Sequence, residues 1–336
     1  MRAAVLHAPG DLRMEEIEIP RVGCGEVLLR VKAVGICISD VARYQGLEPL
    51  PKPIVIGHEY SGMVAEVGRE VKGFEVGERV CGEGWGGCGK CSMCTAGFDN
   101  LCESPRWLAV NENGAFAEYL KMPAKFLYNL PDAVSTDEAQ SLLIVACCVR
   151  AIHKAEISLG SKVAILGPGH AGLILLQLSK LAGADRVVMI GTRANRLKLA
   201  QELGSDLAIN IQTEDLSERL AQSGYREGFD VVIDAAGTPS AVQQAFKIVR
   251  SGGTILIFSR HWQPVDNVPV DDIVMKELRI QGTKSGPLSE AIRLVETKKV
   301  QILPLITHYL SLEAIREGLD MMLGKKEDAL RIVIRP

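Results

Sequence analysis

Four thiols carry the clearest chemistry in this chain. Cys88, Cys91, Cys94 and Cys102 lie in the stretch CGKCSMCTAGFDNLC with the spacing C-x2-C-x2-C-x7-C. Four thiolates supplied by one short segment complete a tetrahedral zinc shell and leave no position open to substrate. The motif therefore predicts a structural zinc that braces a loop with little apolar core of its own. Unrelated buried or redox-active cysteines are the plainer alternative; a nucleic-acid-binding knuckle is opposed by the few Lys and Arg nearby. Upstream, Gly35-Ile36-Cys37-Ile38-Ser39-Asp40 precedes Gly57-His58-Glu59. Cys37, His58 and Glu59 are the ligand types that a catalytic zinc accepts. Asp40 would accept the ring N–H of His58 and fix its tautomer. On composition alone, a buried cysteine and a satisfied core histidine are the better reading of Cys37 and His58.

A second motif lies in the middle of the chain. Gly167-Pro168-Gly169-His170-Ala171-Gly172 is G-x-G-x-x-G, directly after the apolar run KVAIL and before residues at helical spacing. In that context it reads as a dinucleotide loop. Gly167 would make the tight turn, Gly169 would admit a pyrophosphate, and Gly172 would allow close helix–strand packing. His170 and Ala171 would open the helix, whose free N–H groups favour phosphate. An NAD site places an acid about 20 residues past the loop, on the ribose 2′-hydroxyl. Here that place is Gly191, followed by Thr192, Arg193 and, a little further, Arg196. A small residue there would leave room for a 2′-phosphate and a guanidinium would pair with it, so NADP(H) is expected over NAD(H).

These groups need elements to hold them. Arg2–Leu6, Glu26–Val34, Ser61–Val67 and Glu78–Cys81 are short apolar or alternating runs separated by turn signals, the pattern of a β-rich region. Ser135-Thr136-Asp137-Glu138 reads as a capping box. Strand and helix patterns then alternate: Lys162–Leu166, a helix ending near Gly183, Arg186–Ile190, a helix over Arg196–Leu203, Phe229–Asp234 and Thr254–Phe258. This alternation predicts a doubly wound parallel sheet, so the fold class is α/β. The length, 336 residues, suggests two domains at roughly 150 residues each. Lys and Arg number 38 against 41 Asp and Glu, a net charge of −3 that disfavours non-specific nucleic-acid binding. No apolar run approaches the roughly 18 residues that span a bilayer. The start, Met1–Gly10, lacks an apolar core, and nine cysteines without a signal peptide indicate a reducing compartment, the cytoplasm.

The stretch GHEYSGMVAEVGREV matches G-H-E-x-x-G-x5-G-x2-V, the zinc signature of the medium-chain alcohol dehydrogenases. GIC-x-SD, the cysteine lobe and the glycine loop follow that family's order, to the DALRIVIRP ending. The chain resembles most the polyol (sorbitol-like) and threonine dehydrogenase branch; VCGEGWGGCGKC and GAFAEYL are especially similar to the threonine enzymes. The resemblance implies a GroES-like β-barrel over residues 1–146 with the cysteine lobe at about 84–104, a Rossmann cofactor domain over 147–281, and a tail, 282–336, returning to the barrel. It implies a catalytic zinc in the interdomain cleft held by Cys37, His58 and Glu59, with water or substrate oxygen fourth. Ser39 would accept the alcohol proton, and Gly191-Thr192-Arg193 resembles the 2′-phosphate grip of NADP-dependent secondary alcohol dehydrogenases. Homodimers or homotetramers are implied as well.

Three positions depart from the family pattern. Leu143 stands where a further Glu, Asp or Cys ligand occurs, with Cys147 one turn on; Ala42 replaces a relay histidine; Trp85 replaces a histidine of the threonine enzymes. Together these point away from threonine as substrate. The expected activity is reversible oxidation of a secondary alcohol or polyol to a ketone with NADP(H), without nucleic-acid or membrane partners. Trp85, Trp107 and Ile38 read as packing before substrate lining, and the loops Tyr44–Lys52, Pro105–Asn113 and Arg260–Val268 would shape the pocket. A zinc-free reductase of activated C=C bonds and a non-catalytic nucleotide-binding protein are the competing readings.

Overall fold

A computed structural model describes residues 1–49, 53–324 and 329–336. The end of the Tyr44–Lys52 loop, residues 50–52, lies outside the described residues. Two compact units form: Met1–Ile144 with Leu288–Pro336, and Val145–Pro287. The sequence had put these crossings at 146/147 and 281/282.

In the first unit the strand Glu26–Gly35 is the hub. It pairs antiparallel with Glu59–Val67 over most of its length, with Tyr119–Pro123 at its start and with Ile332–Arg335 at its end. Arg79–Gly82 and Leu127–Asn129 extend this seven-stranded sheet on one side. On the other, His308–Ser311 runs parallel to Ile332–Arg335, so the C-terminal strand is built into the sheet of the N-terminal segment. Arg2–Ala8, Asp11–Glu16 and Ile54–Val55 make a smaller sheet. Its apolar faces and those of the hub strand share one core around Leu6, Leu29, Ile36, Ile54, Ile56, Tyr60 and Phe116.

The second unit is a six-stranded parallel sheet in the order Leu207–Asn210, Arg186–Gly191, Lys162–Leu166, Phe229–Asp234, Val249–Ile257, Arg279–Gly282. Numbered along the chain this is 3-2-1-4-5-6, with the direction of winding reversing beside Lys162–Leu166, the dinucleotide-binding switch point of doubly wound sheets. The central strands are buried throughout, Val163–Leu166 and Val187–Gly191 among them, and this explains why they read as continuous apolar runs. The outer strands, Leu207–Asn210 and Arg279–Gly282, escaped the sequence reading. They are short and only partly buried, so they carry no strong period. No helix among the described residues is long and apolar enough to cross a membrane.

The capping box forms as expected, but the helix it opens, Thr136–Ala139, is one turn long and precedes the main helix Leu142–Ala155. Glu138 accepts from Ser135 N at 3.0 Å, Ser135 Oγ at 2.7 Å and Lys298 Nζ at 3.0 Å. Burial pushes this carboxyl upward, yet those donors outweigh it and hold it below its ordinary value. A depressed carboxylate stabilises the fold above its unfolded pKa and loses that contribution as pH falls through its folded value. Ser135→Ala is expected to cost about 1 kcal/mol at neutral pH. Thermal denaturation should show the gap between mutant and parent narrowing at acid pH; a gap constant with pH would contradict this account.

Candidate functional site

Cys37 ends the turn after the hub strand and caps the helix Ile38–Tyr44, while Glu59 begins the neighbouring strand Glu59–Val67. Pairing of Gly35 with Glu59 across the two strands brings these distant segments together. The ligand atoms of Cys37, His58 and Glu59 all lie within 4.8 Å of one another. Ser39 Oγ donates to Cys37 Sγ at 3.3 Å. A thiol, an imidazole and a carboxylate converging in a largely buried place are a donor set suited to zinc.

Asp40 lies beside His58 as expected and also holds the backbone. Its Oδ1 stands 3.4 Å from His58 Nδ1, and that nitrogen makes no directed hydrogen bond. The fully buried carboxylate instead accepts the backbone N–H of Cys37 at 3.0 Å and of Gly57 at 3.2 Å. It thus fixes both chain segments that carry the ligands, and it acts on the ring by charge. Burial lowers the affinity of His58 for a proton, but Asp40 outweighs burial and holds it well above its ordinary pKa. Arg43 stands 3.8 Å from the same carboxylate and 2.9 Å from Glu48, with all three side chains buried. Its guanidinium also lies 5.8 Å from the Trp107 ring centre.

Two participants were missed in the sequence. Arg331, only 3% exposed, forms an ion pair with Glu59. Its N–H groups donate to Gln140 Oε1 at 2.9 Å, Ile36 O at 3.1 Å and Gln140 O at 3.3 Å. Glu59 Oε2 is therefore held by charge and not by a directed hydrogen bond, while Oε1 faces His58 Nε2 at 4.0 Å. The signal for Arg331 was present: a lone arginine in the apolar run Ala329–Ile334. Gln140 carried no such signal. Gly35 is obligatory here, because a Cβ would overlap the Arg331 guanidinium.

Leu143 comes close to the His58 segment around Gly84: a Cβ on that glycine would meet His58 Cβ at 3.1 Å and Leu143 Cδ2 at 3.3 Å. Cys147 is not in the gathered group. Trp85 and Trp107 sit on the short paired strands Trp85–Gly86 and Arg106–Trp107 and pack edge to face, centroids 4.5 Å apart. Ala42 is buried and Ile38 is exposed.

The other thiols also converge: one sulfur each from Cys88, Cys91, Cys94 and Cys102 lies within 4.8 Å of the rest, and none is disulfide-bonded. Backbone N–H groups point at them, Cys88 N to Cys102 Sγ at 3.3 Å and Cys91 N to Cys88 Sγ at 3.4 Å. The N–H groups of Cys94 and Glu103 pull the Cys91 thiol down to about 6. Burial pushes the Cys94 thiol the other way, up to about 12, so it is the gathering of four sulfurs at one place that fits a metal.

At the dinucleotide loop, Gly167 takes φ +106, which a side chain rarely adopts, and Gly169 faces open space. Both suit the roles expected of them. A Cβ on Gly172 would overlap Gly167 O, so this glycine lets the chain leaving the strand Lys162–Leu166 close onto the helix His170–Leu181. His170 and Ala171 begin that helix. At Gly191 the direction a side chain would take is filled by the Pro168 ring. Thr192 and Arg193 are exposed, Arg193 capping the helix Ala194–Glu202, with Arg196 half-buried one turn on.

Comparison with known proteins agrees with this geometry. Residues 23–132 match the alcohol dehydrogenase GroES-like domain and residues 171–297 match the zinc-binding dehydrogenase domain. The chain is 34% identical over 330 residues to an L-threonine 3-dehydrogenase of Idiomarina loihiensis, covering 95% of each chain. It is 32% identical to a sorbitol dehydrogenase of Bacillus subtilis, covering 100% of this chain and 97% of that one. A zinc-binding dehydrogenase from Sinorhizobium meliloti 1021, solved bound to NADP, superposes with a TM-score of 0.93 at 31% identity, covering 100% of this chain and 99% of that one. With both units matched and the likeness running from end to end, the chain belongs to the zinc-dependent medium-chain alcohol dehydrogenases, a family of NAD(P)-dependent oxidoreductases.

Proposed function

We propose that the protein interconverts a secondary alcohol or polyol and its ketone with NADP(H), using a catalytic zinc at Cys37, His58 and Glu59 and a structural zinc at the four lobe cysteines. The convergence of thiol, imidazole and carboxylate beside Ser39 carries the reading. Zinc there would supply Lewis acidity to the alcohol oxygen, and the nicotinamide would accept the hydride. Ser39 Oγ donates to Cys37 Sγ, so its lone pairs can accept a hydrogen bond from the substrate hydroxyl; to relay that proton, Ser39 would release its own hydrogen toward solvent as it takes the substrate's. Asp40 keeps Cys37 and His58 in register through their backbone. Arg331 holds one oxygen of Glu59 and leaves the other toward His58. The exposed Arg193 beside Gly191, with no acid at the strand end, supports NADP(H) over NAD(H).

Metal analysis tests this directly. Protein purified with zinc and without chelator should hold two zincs per chain. Cys91→Ala should retain one, and its lobe, about 84–104, should become the preferred site of proteolysis. A Cys91→Ala protein that keeps both zincs would remove the lobe from the account.

Leu143 beside His58 favours a second reading, a zinc-free reductase of activated C=C bonds. One zinc per chain together with turnover of an enone would establish it. The cysteines form no disulfide among the described residues, which suits a reducing compartment, and we assign the protein to the cytoplasm. Homo-oligomerisation is supported by Val270, Val274 and Met275, 65%, 72% and 74% exposed beside the edge strand Arg279–Gly282. Val274→Glu should lower the mass measured by analytical ultracentrifugation; an unchanged mass would rule this face out.

A further inference from the structure

Gly191 closes the strand Arg186–Gly191 and is buried. Its φ is not in the left-handed region, so its backbone alone would accept any residue. Space forbids one. A Cβ at this position would overlap Pro168 Cδ and lie 2.5 Å from Pro168 Cγ. Leu197 Cδ2, at 3.7 Å, would be an ordinary neighbour. Pro168 cannot swing aside, because its ring is closed onto its own backbone. It is buried, and the loop is tied to the same strand by Gly167 N donating to Ile190 O at 2.8 Å.

The end of this strand is where a dinucleotide fold places the acid that bonds the ribose 2′-hydroxyl and repels a 2′-phosphate. Such an acid needs a Cβ at that position. We propose that Pro168 is a specificity-determining residue. By filling the space over Gly191, it bars an acidic side chain from the strand end and leaves the 2′ position to the cationic segment at Arg193. The inference rests on the NADP(H) reading above. It extends that reading by making the phosphate loop itself, and not the strand end alone, the determinant of nucleotide choice. It also has an evolutionary-engineering consequence: a single exchange at Gly191 should not convert the site.

The test is direct binding by the full chain, which needs no known substrate. NADPH and NADH are titrated by nicotinamide fluorescence into the parent, Gly191→Asp, Pro168→Ala and the double variant, with thermal denaturation alongside. Gly191→Asp should weaken NADPH by about tenfold or more without gaining NADH, and should lower Tm; adding Pro168→Ala should restore Tm and raise NADH affinity by about tenfold over Gly191→Asp alone. Gly191→Asp binding NADH as tightly as the double variant would overturn the proposal. Should Gly191→Asp fail to fold, Gly191→Ala with and without Pro168→Ala makes the same steric comparison. A fall in Tm relieved by Pro168→Ala supports exclusion, and no fall overturns it. A parent that binds NADH as tightly as NADPH overturns the nucleotide preference itself. That failure is distinguishable, because the steric exclusion is read separately from the Tm of the Gly191 variants.

Discussion

Cys37→Ala is expected to leave one zinc per chain and to lower kcat/KM by at least about a thousandfold, since Lewis-acid stabilisation is worth several kcal/mol and each 1.36 kcal/mol is a factor of ten. The reasoning is local. Three candidate ligands meet at the proposed zinc site, and the leucine at 143 has no donor atom to replace a lost thiolate. Ser39 loses its sulfur acceptor in the same step, so the hydroxyl proposed to take the substrate proton loses its orientation. The fold should survive, because Cys37 lies in a turn and Asp40 still accepts the backbone N–H of residue 37. Metal content and steady-state rates check this together. A variant that keeps two zincs, or one that loses zinc yet retains turnover, would move the chemistry away from Cys37.

The second large effect concerns Arg331. Its guanidinium and the Glu59 carboxylate are each 3% exposed. Burying both charges is costly, and the pair itself adds little net stability. Removing one partner is another matter. In metal-free protein, Arg331→Leu strands a carboxylate inside the unit and leaves Gln140 and the Ile36 carbonyl without their donor, so a destabilisation of about 3–5 kcal/mol is expected. Arg331→Lys should recover only part of it, because an ammonium cannot reproduce the planar fork that reaches Glu59, Gln140 and Ile36 together. Adding Glu59→Gln to Arg331→Leu should restore some stability while abolishing zinc retention at the site. Denaturation midpoints and zinc content for the three variants separate the two roles of Glu59. If Arg331→Leu were as stable as the parent, Glu59 would have to be compensated elsewhere. Gly35→Ala should resemble Arg331→Leu in direction, since its methyl group displaces the same guanidinium.

How these features were legible depends on the range of the physics behind them. Spacing within one segment was enough for the four lobe thiols and for the glycine loop, because there the chain itself supplies the geometry. Strand and helix periods were enough for the central strands, which are buried on both faces. The short outer strands Leu207–Asn210 and Arg279–Gly282 lie at the edges of the sheet, where one side is open and the pattern is weak. For the cluster of Cys37, His58 and Glu59, residue types alone were ambiguous. The signature GHEYSGMVAEVGREV pointed to the grouping, and the pairing of Gly35 with Glu59 makes it.

By itself, then, the sequence determined the family, the α/β alternation with its glycine loop, the thiol lobe and the missing acid at Gly191. Each depends on residues adjacent in the chain or on a period that a single element imposes. Only the tertiary structure decided what Asp40 holds, that Arg331 pairs with Glu59 from about 270 positions away, and that the Pro168 ring fills the space a side chain at Gly191 would need. Those are facts about charge and volume between segments remote in sequence. A buried guanidinium finds its carboxylate, and a proline ring finds its glycine, only when strands far apart in the chain have been laid side by side.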